Sequence, residues 1–140
     1  MKPAGWARAA VALATLAAAG TALACGHCVE DRIAAVYDHA LTQRIAVARH
    51  QLAYFAWDGP LARDEASRRK ILALVEAAAS VDRGSVRVSM DPAAIAVAFD
   101  PRRTTAAAVG AALGKTLEPV KLTLIALQAL SPATPVAARR

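Results

Sequence analysis

Two short runs of alternating apolar residues, separated by a proline turn, limit the fold more than any other feature of the chain. In residues 85–90 every second residue is apolar, and in residues 95–99 the larger apolar residues alternate with alanines. A period of two gives a β-strand one apolar face, and Asp91-Pro92 between the runs favours a turn. The pattern therefore predicts a β-hairpin.

The segments on either side of this hairpin alternate between helical and strand patterns. Apolar residues at helical spacing predict helices over residues 29–48, 62–79 and about 104–115, the last one capped by Thr104 or Thr105. Short apolar runs bounded by turn residues predict strands over residues 51–57 and 120–127. From residue 51 the order is strand, helix, strand, strand, helix, strand. This order predicts an α+β, ferredoxin-like βαββαβ sandwich, with a four-stranded antiparallel sheet, two helices on one face and an additional N-terminal helix.

The first 24 residues have the composition of an export signal. Lys2 and Arg8 precede and flank an apolar run over residues 9–19, and Ala22-Leu23-Ala24 fits the small-x-small cleavage pattern. The sequence thus predicts a signal peptide over 1–24, a helix containing a Cys-x-x-Cys over 25–49, the ferredoxin-like domain over 50–128 and a disordered tail over 129–140. The mature protein is expected to be periplasmic or secreted, without a membrane span. Acylation of Cys25 is disfavoured, because a lipobox places a large aliphatic residue where this chain has Ala22.

Cys25, Gly26, His27 and Cys28 form a Cys-x-x-Cys at the predicted start of the mature chain, and these are the only two cysteines. Two thiolates three positions apart at a helix start can bind one soft ion, Cu(I) or Zn(II), and we expect the helix dipole to lower the pKa of Cys28. If cleavage follows Ala24, the free amine, two backbone amides and His27 make a square-planar set for Cu(II) or Ni(II). In an oxidising compartment the two cysteines can instead form a disulfide.

Residues 81–88 followed by residues 95–101, which end in Phe99-Asp100-Pro101, resemble the second and third strands of heavy-metal-associated domains, the family of copper chaperones. The resemblance covers residues 51–127 and implies the ferredoxin-like fold. Members of that family carry a Met-x-Cys-x-x-Cys between the first strand and the first helix, but here residues 58–64 contain neither Cys nor Met. We therefore expect the metal site to have moved to Cys25 and Cys28, with His27 as an auxiliary ligand.

These patterns predict a non-enzymatic, exported carrier of a heavy metal, with copper as the first choice and another metal-handling protein as a possible partner. Two alternatives stay open. Cys-Gly-His-Cys resembles the active site of protein disulfide isomerases, in which Cys25 and Cys28 would be catalytic; against this, no strand leads into the motif. The chain can also be a structural module whose edge strands pair two copies.

The composition argues against nucleic-acid binding and against ordinary hydrolase chemistry. Without Lys2 and Arg8, 15 of the 17 basic residues remain against 11 acidic residues, and no aromatic residues are interleaved with the basic ones. The sequence also contains no Gly-rich phosphate loop and no His-Glu-x-x-His. We therefore expect no nucleic-acid partner.

Overall fold

The structure is a computed structural model, and it describes residues 28–130. Within this range the chain is a mixed α+β protein with four α-helices and a four-stranded antiparallel sheet. The elements, in chain order, are α1 Val29–Val36, α2 His39–Ala48, β1 Gln51–Asp58, α3 Glu65–Glu76, β2 Arg87–Met90, β3 Ala93–Phe99, α4 Ala106–Leu117, a 3₁₀ turn Glu118–Val120 and β4 Thr123–Leu130.

The sheet has the strand order β2-β3-β1-β4, and every neighbouring pair is antiparallel. The predicted hairpin is confirmed: β2 and β3 pair from Arg87 opposite Ala96 to Met90 opposite Ala93, with a cis Asp91-Pro92 peptide between them. Strands β1 and β4 pair with a register shift after Tyr54. The long strands β1 and β3 are therefore central, and β2 and β4 form the two edges.

One face of the sheet packs against α3 and α4 and forms the larger core. Asp64 and Thr105 cap these two helices by accepting hydrogen bonds from the backbone N–H groups of Ser67 and Ala108. The capping residue Thr105 confirms one of the two predicted caps, and α3 is shorter than the predicted helix over 62–79. The largest fully buried side chains of this core are Trp57, Phe99, Ile71, Ile95, Leu113 and Leu117.

The opposite face of the sheet is covered by α1 and α2. Every residue of β3 is buried, including the alanines between its larger side chains. Alanines leave room for a helix to approach the backbone closely, and α1 packs on β3 and β2 while α2 packs on β1. The residues of this second core are Val36, Leu41, Ile45, Leu52, Tyr54, Ala94, Ala96 and Ala98. The sheet is therefore the middle of three layers.

The prediction of one continuous helix over residues 29–48 is wrong, because the chain breaks at Tyr37 and Asp38. Both residues have extended backbone angles, and the Asp38 carboxylate accepts a hydrogen bond of 2.9 Å from the backbone N–H of Leu41. The same carboxylate accepts a hydrogen bond from Arg87 Nε at 2.9 Å and so joins the start of α2 to β2. Asp is a preferred N-cap residue, so a second helix begins after Asp38, although the helical spacing of the apolar residues continues through this point.

Replacing Asp38 with alanine is expected to make the protein less stable in a way that depends on pH. The backbone N–H of Leu41, followed by the Arg87 guanidinium, lowers the pKa of Asp38 below its ordinary value. A lowered folded-state pKa contributes stability that is complete above the unfolded pKa of about 3.9 and is lost as the pH falls through the folded-state pKa. Urea unfolding should show a deficit of Asp38→Ala at pH 7 that shrinks below about pH 4.

The matched control is Glu76→Gln, since within residues 28–130 the Glu76 carboxylate has no hydrogen-bond or ion-pair partner. This variant should unfold like the wild-type protein at both pH values. A deficit of Asp38→Ala that stays constant down to pH 2.5 would contradict the role of the charge.

Candidate thiol and metal site at the start of α1

Cys28 is the one predicted site residue that the structure describes, and it is the N-cap of α1. Its thiol is exposed, and it forms no disulfide with any residue that the structure describes. Its carbonyl oxygen accepts the first hydrogen bond of the helix, from the backbone N–H of Arg32 at 3.2 Å. Cys25 and His27, the other two predicted ligands, lie outside the described residues.

Two acidic residues, Glu30 and Asp31, follow Cys28 in the first turn of α1. The Sγ atom donates a hydrogen bond to Oδ2 of Asp31 at 3.2 Å, and Glu30 is also in the first turn. The backbone N–H of Asp31 lowers the pKa of the thiol, but the carboxylates of Asp31 and Glu30, together with slight desolvation, outweigh this effect and raise the pKa above its ordinary value. The expectation of a lowered pKa at the helix start is therefore wrong.

Arg32 fixes this end of α1 to the β2–β3 hairpin. Its Nη1 donates a hydrogen bond of 2.7 Å to the carbonyl oxygen of Ala93, the first residue of β3. Residues four positions apart lie on the same side of a helix, so Arg32 stands one turn below Cys28. Arg32 thus ties α1, one turn after Cys28, to the end of the sheet where the hairpin turns.

A second arginine holds the other side of the same hairpin. Arg63, from the β1–α3 connection, donates a hydrogen bond of 2.7 Å to the carbonyl oxygen of Met90, and its guanidinium carbon lies 4.3 Å from the centre of the Trp57 ring. The indole Nε1 of Trp57 donates to the carbonyl oxygen of Ser89 at 3.1 Å. Arg32 and Arg63 therefore hold the hairpin turn between them.

The two arginines line one cleft with a volume of about 460 Å³. Asp58 and Asp91 provide acidic groups in its wall, and Ile125 of β4, which is 55% exposed, lies at its rim. The side chain of Arg32 in α1 therefore lines the same cleft as Asp58 and Arg63, which lie at the end of β1 and in the connection to α3. This proximity was left open by the sequence.

Sequence reasoning missed the roles of Asp31, Arg32 and Arg63. A signal existed for Asp31, because a residue three positions after an N-cap faces it across the first helical turn. Nothing local marks Arg32 and Arg63, since their carbonyl acceptors lie 61 and 27 residues further along the chain.

The histidines outside the motif contact neighbouring side chains, and the aromatic residues of β1 lie in the core. His39 Nδ1 lies 3.3 Å from the hydroxyl oxygen of Tyr37, and His50 Nδ1 lies 2.6 Å from Oδ2 of Asp82. The aromatic side chains of β1 are buried, as expected of strand core. Between residues 28 and 130, no group of three or more His, Cys, Asp or Glu side chains is arranged to hold a metal ion.

Comparisons of the chain with protein families, with curated proteins and with solved structures found no match. In the part of the chain that the structure covers, no helix has both the length and the apolar character needed to cross a membrane.

Proposed function

We propose that this protein is an exported, non-enzymatic carrier of a heavy metal ion, with copper as the metal, Cys25 and Cys28 as thiolate ligands and His27 with the mature amine as an auxiliary set. The observation that carries the proposal is the exposed thiol of Cys28 beside the Asp31 carboxylate at the start of α1. The Asp31 carboxylate places negative charge beside the sulfur atom, and negative charge favours a bound cation.

The contact between Cys28 and Asp31 supports binding of a cation. The proton of the thiol lies between Sγ and Oδ2, which are 3.2 Å apart. A metal ion that binds Sγ displaces this proton and meets the negative field of Asp31 and Glu30. Soft thiolates select Cu(I) first, and a neighbouring carboxylate also suits Zn(II), while the amine and imidazole set suits Cu(II) or Ni(II).

The topology supports a likeness to metal carriers in fold. We infer that β1, α3, β2, β3, α4 and β4 form a ferredoxin-like βαββαβ unit, to which α1 and α2 are added on the free face of the sheet. The strand order β2-β3-β1-β4 and the antiparallel pairing are those of this architecture. The added layer begins at Cys28, the second cysteine of the Cys-x-x-Cys, whereas residues 58–64 between β1 and α3 contain no cysteine.

Delivery to another metal-handling protein fits the exposure of the site. Cys28 is exposed, so a second thiol protein can approach an ion bound there and exchange ligands with it. A carrier must release its ion, and an open site permits that, whereas a closed four-ligand site would hold it. The predicted compartment is the periplasm or the exterior of the cell.

The test is metal uptake by the protein purified without residues 1–24. Under anaerobic conditions, competition with a chromophoric Cu(I) chelator should show uptake of about one equivalent with the thiolates as ligands. The double variant Cys25→Ser and Cys28→Ser should take up none. Serine is a good N-cap residue, so α1 should still form and the far-ultraviolet circular dichroism should not change.

His27→Ala and the matched variant His39→Ala separate the two oxidation states. His27→Ala should keep Cu(I) uptake and lose the visible absorption band of square-planar Cu(II), while His39→Ala should keep both. Unchanged Cu(I) uptake by the double cysteine variant would refute the proposed function.

The oxidoreductase alternative is distinguished by turnover. In a Cys-x-x-Cys oxidoreductase the attacking thiolate and the second thiol exchange disulfides with a substrate, and this exchange can be measured directly. We expect the reduced protein to show no catalytic turnover on a scrambled disulfide substrate. Turnover that disappears in the double cysteine variant would favour the oxidoreductase instead.

A further inference from the structure

A second cleft lies at the end of the sheet opposite Cys28, where β3 ends and β1 begins. It is formed by the α3–β2 connection and the β3–α4 connection and has a volume of about 480 Å³. Its polar lining consists of Ser80, Asp82, Arg83, Asp100, Arg103 and Thr104. None of these residues is a ligand in the proposed metal function.

The two carboxylates of this cleft already have cationic or hydrogen-bonded partners. Asp82 accepts a hydrogen bond from His50 Nδ1 at 2.6 Å, and His50 Nε2 lies 3.9 Å from Oδ2 of Asp100. Asp100 accepts two side-chain hydrogen bonds from Arg102, at 3.1 and 3.2 Å, and its pKa is lowered, first by that side chain. The acidic groups of the cleft are therefore largely compensated.

Its two arginines are not compensated. Arg83 and Arg103 are exposed, and among the residues that the structure describes neither guanidinium has a hydrogen bond or an ion pair. Each guanidinium offers five N–H donors in a planar fork that matches the oxygens of a phosphate or a carboxylate. The cleft thus has an excess of positive charge and of free donors.

Ser80 is also among the residues that line the cleft. The Ser80 hydroxyl oxygen is buried and, within the described range, has no hydrogen-bond partner. Buried hydroxyl groups are nearly always paired with protein, water or ligand, so an unpaired one needs an explanation. Thr104 supplies a further hydroxyl, and the 12-residue helix α4 begins two residues later with its positive end toward this region.

We propose that this cleft binds a small tetrahedral oxyanion, phosphate or sulfate, through Arg83, Arg103 and the hydroxyls of Ser80 and Thr104. The inference is independent of the metal site, since the two regions lie at opposite ends of β3 and share no residue.

Phosphate titrated into the full mature protein in a buffer without oxyanions tests the site. Isothermal calorimetry and amide chemical shifts should report saturable binding, with shifts at residues 79–83 and 100–104. The double variant Arg83→Gln and Arg103→Gln should lose phosphate affinity by a factor of about ten or more, because it lacks two groups that make charge-assisted hydrogen bonds. The matched control Lys70→Gln removes one exposed charge from α3 and should bind like the wild-type protein.

Ser80→Ala separates a ligand role from a merely unpaired hydroxyl. It should weaken phosphate binding several-fold while leaving the unfolding midpoint in phosphate-free buffer unchanged or higher. Three results would each overturn the proposal: sodium chloride at equal ionic strength reproduces the phosphate effect, the double arginine variant retains full affinity, or Ser80→Ala binds phosphate as tightly as the wild-type protein.

Discussion

Replacing Trp57 with alanine is expected to lower the free energy of unfolding by about 3–5 kcal/mol. The indole is 2% exposed and packs in the larger core between the sheet and α3 and α4. Its loss leaves a cavity, removes the hydrogen bond to the carbonyl oxygen of Ser89 and takes away the ring on which Arg63 lies. Urea unfolding followed by circular dichroism measures the change.

The control Trp57→Phe keeps a ring and most of the apolar volume but loses the indole N–H. It should cost about 1–3 kcal/mol, the usual effect of leaving one partly buried acceptor unpaired. The difference between the two variants separates packing from hydrogen bonding. A Trp57→Ala protein within about 1 kcal/mol of wild type would contradict the described core, because large-to-small changes at fully buried positions cost more than that.

Replacing Ala96 with leucine is expected to destabilise the protein by about 1–3 kcal/mol, because extra methylene groups in a filled core force shifts of side chains and backbone. Ala96 is 1% exposed and lies in the middle of β3, on the face covered by α1 and α2. The enlarged side chain would push on α1, so amide exchange in α1 should accelerate more than exchange in α3 or α4.

Ala126→Leu is the matched control for this substitution. Ala126 is also a strand alanine, but it is exposed on β4, so the same change should alter stability by no more than about 0.5 kcal/mol. Equal effects of the two substitutions would show that α1 and α2 do not cover β3 in solution.

The sequence was sufficient to predict the helices and strands around the hairpin, because the strand and helix periods, the turn residues and the caps all indicated the same elements there. It was not sufficient for the second layer on the sheet. The residues between the large side chains of β3 are alanines, and an alanine is compatible with water, with a helix or with another strand. Only the tertiary packing of Val36, Leu41 and Ile45 decides between these environments.

For the candidate site, too, some features could be predicted from local sequence patterns and others could not. The thiol of Cys28 and its position at a helix start follow from the motif and from the helical period after it. The sign of its pKa shift does not, because two carboxylates one turn away outweigh the helix end. The link to the hairpin through Arg32 and Arg63 joins residues far apart in the chain, and local patterns contain no information on such pairs.

The eight-residue helix α1 buries only Val36 among its own side chains and is tied to the hairpin by Arg32. Helices shorter than about 12 residues rarely persist alone in water, so α1 depends on contact with β3 for its helical state. An ion that binds only when Cys28 has its N-cap geometry would favour the docked helix by an amount set by ion concentration and affinity. By the same linkage, docking of α1 would raise the affinity for the ion, and whatever detaches α1 from the sheet would promote release.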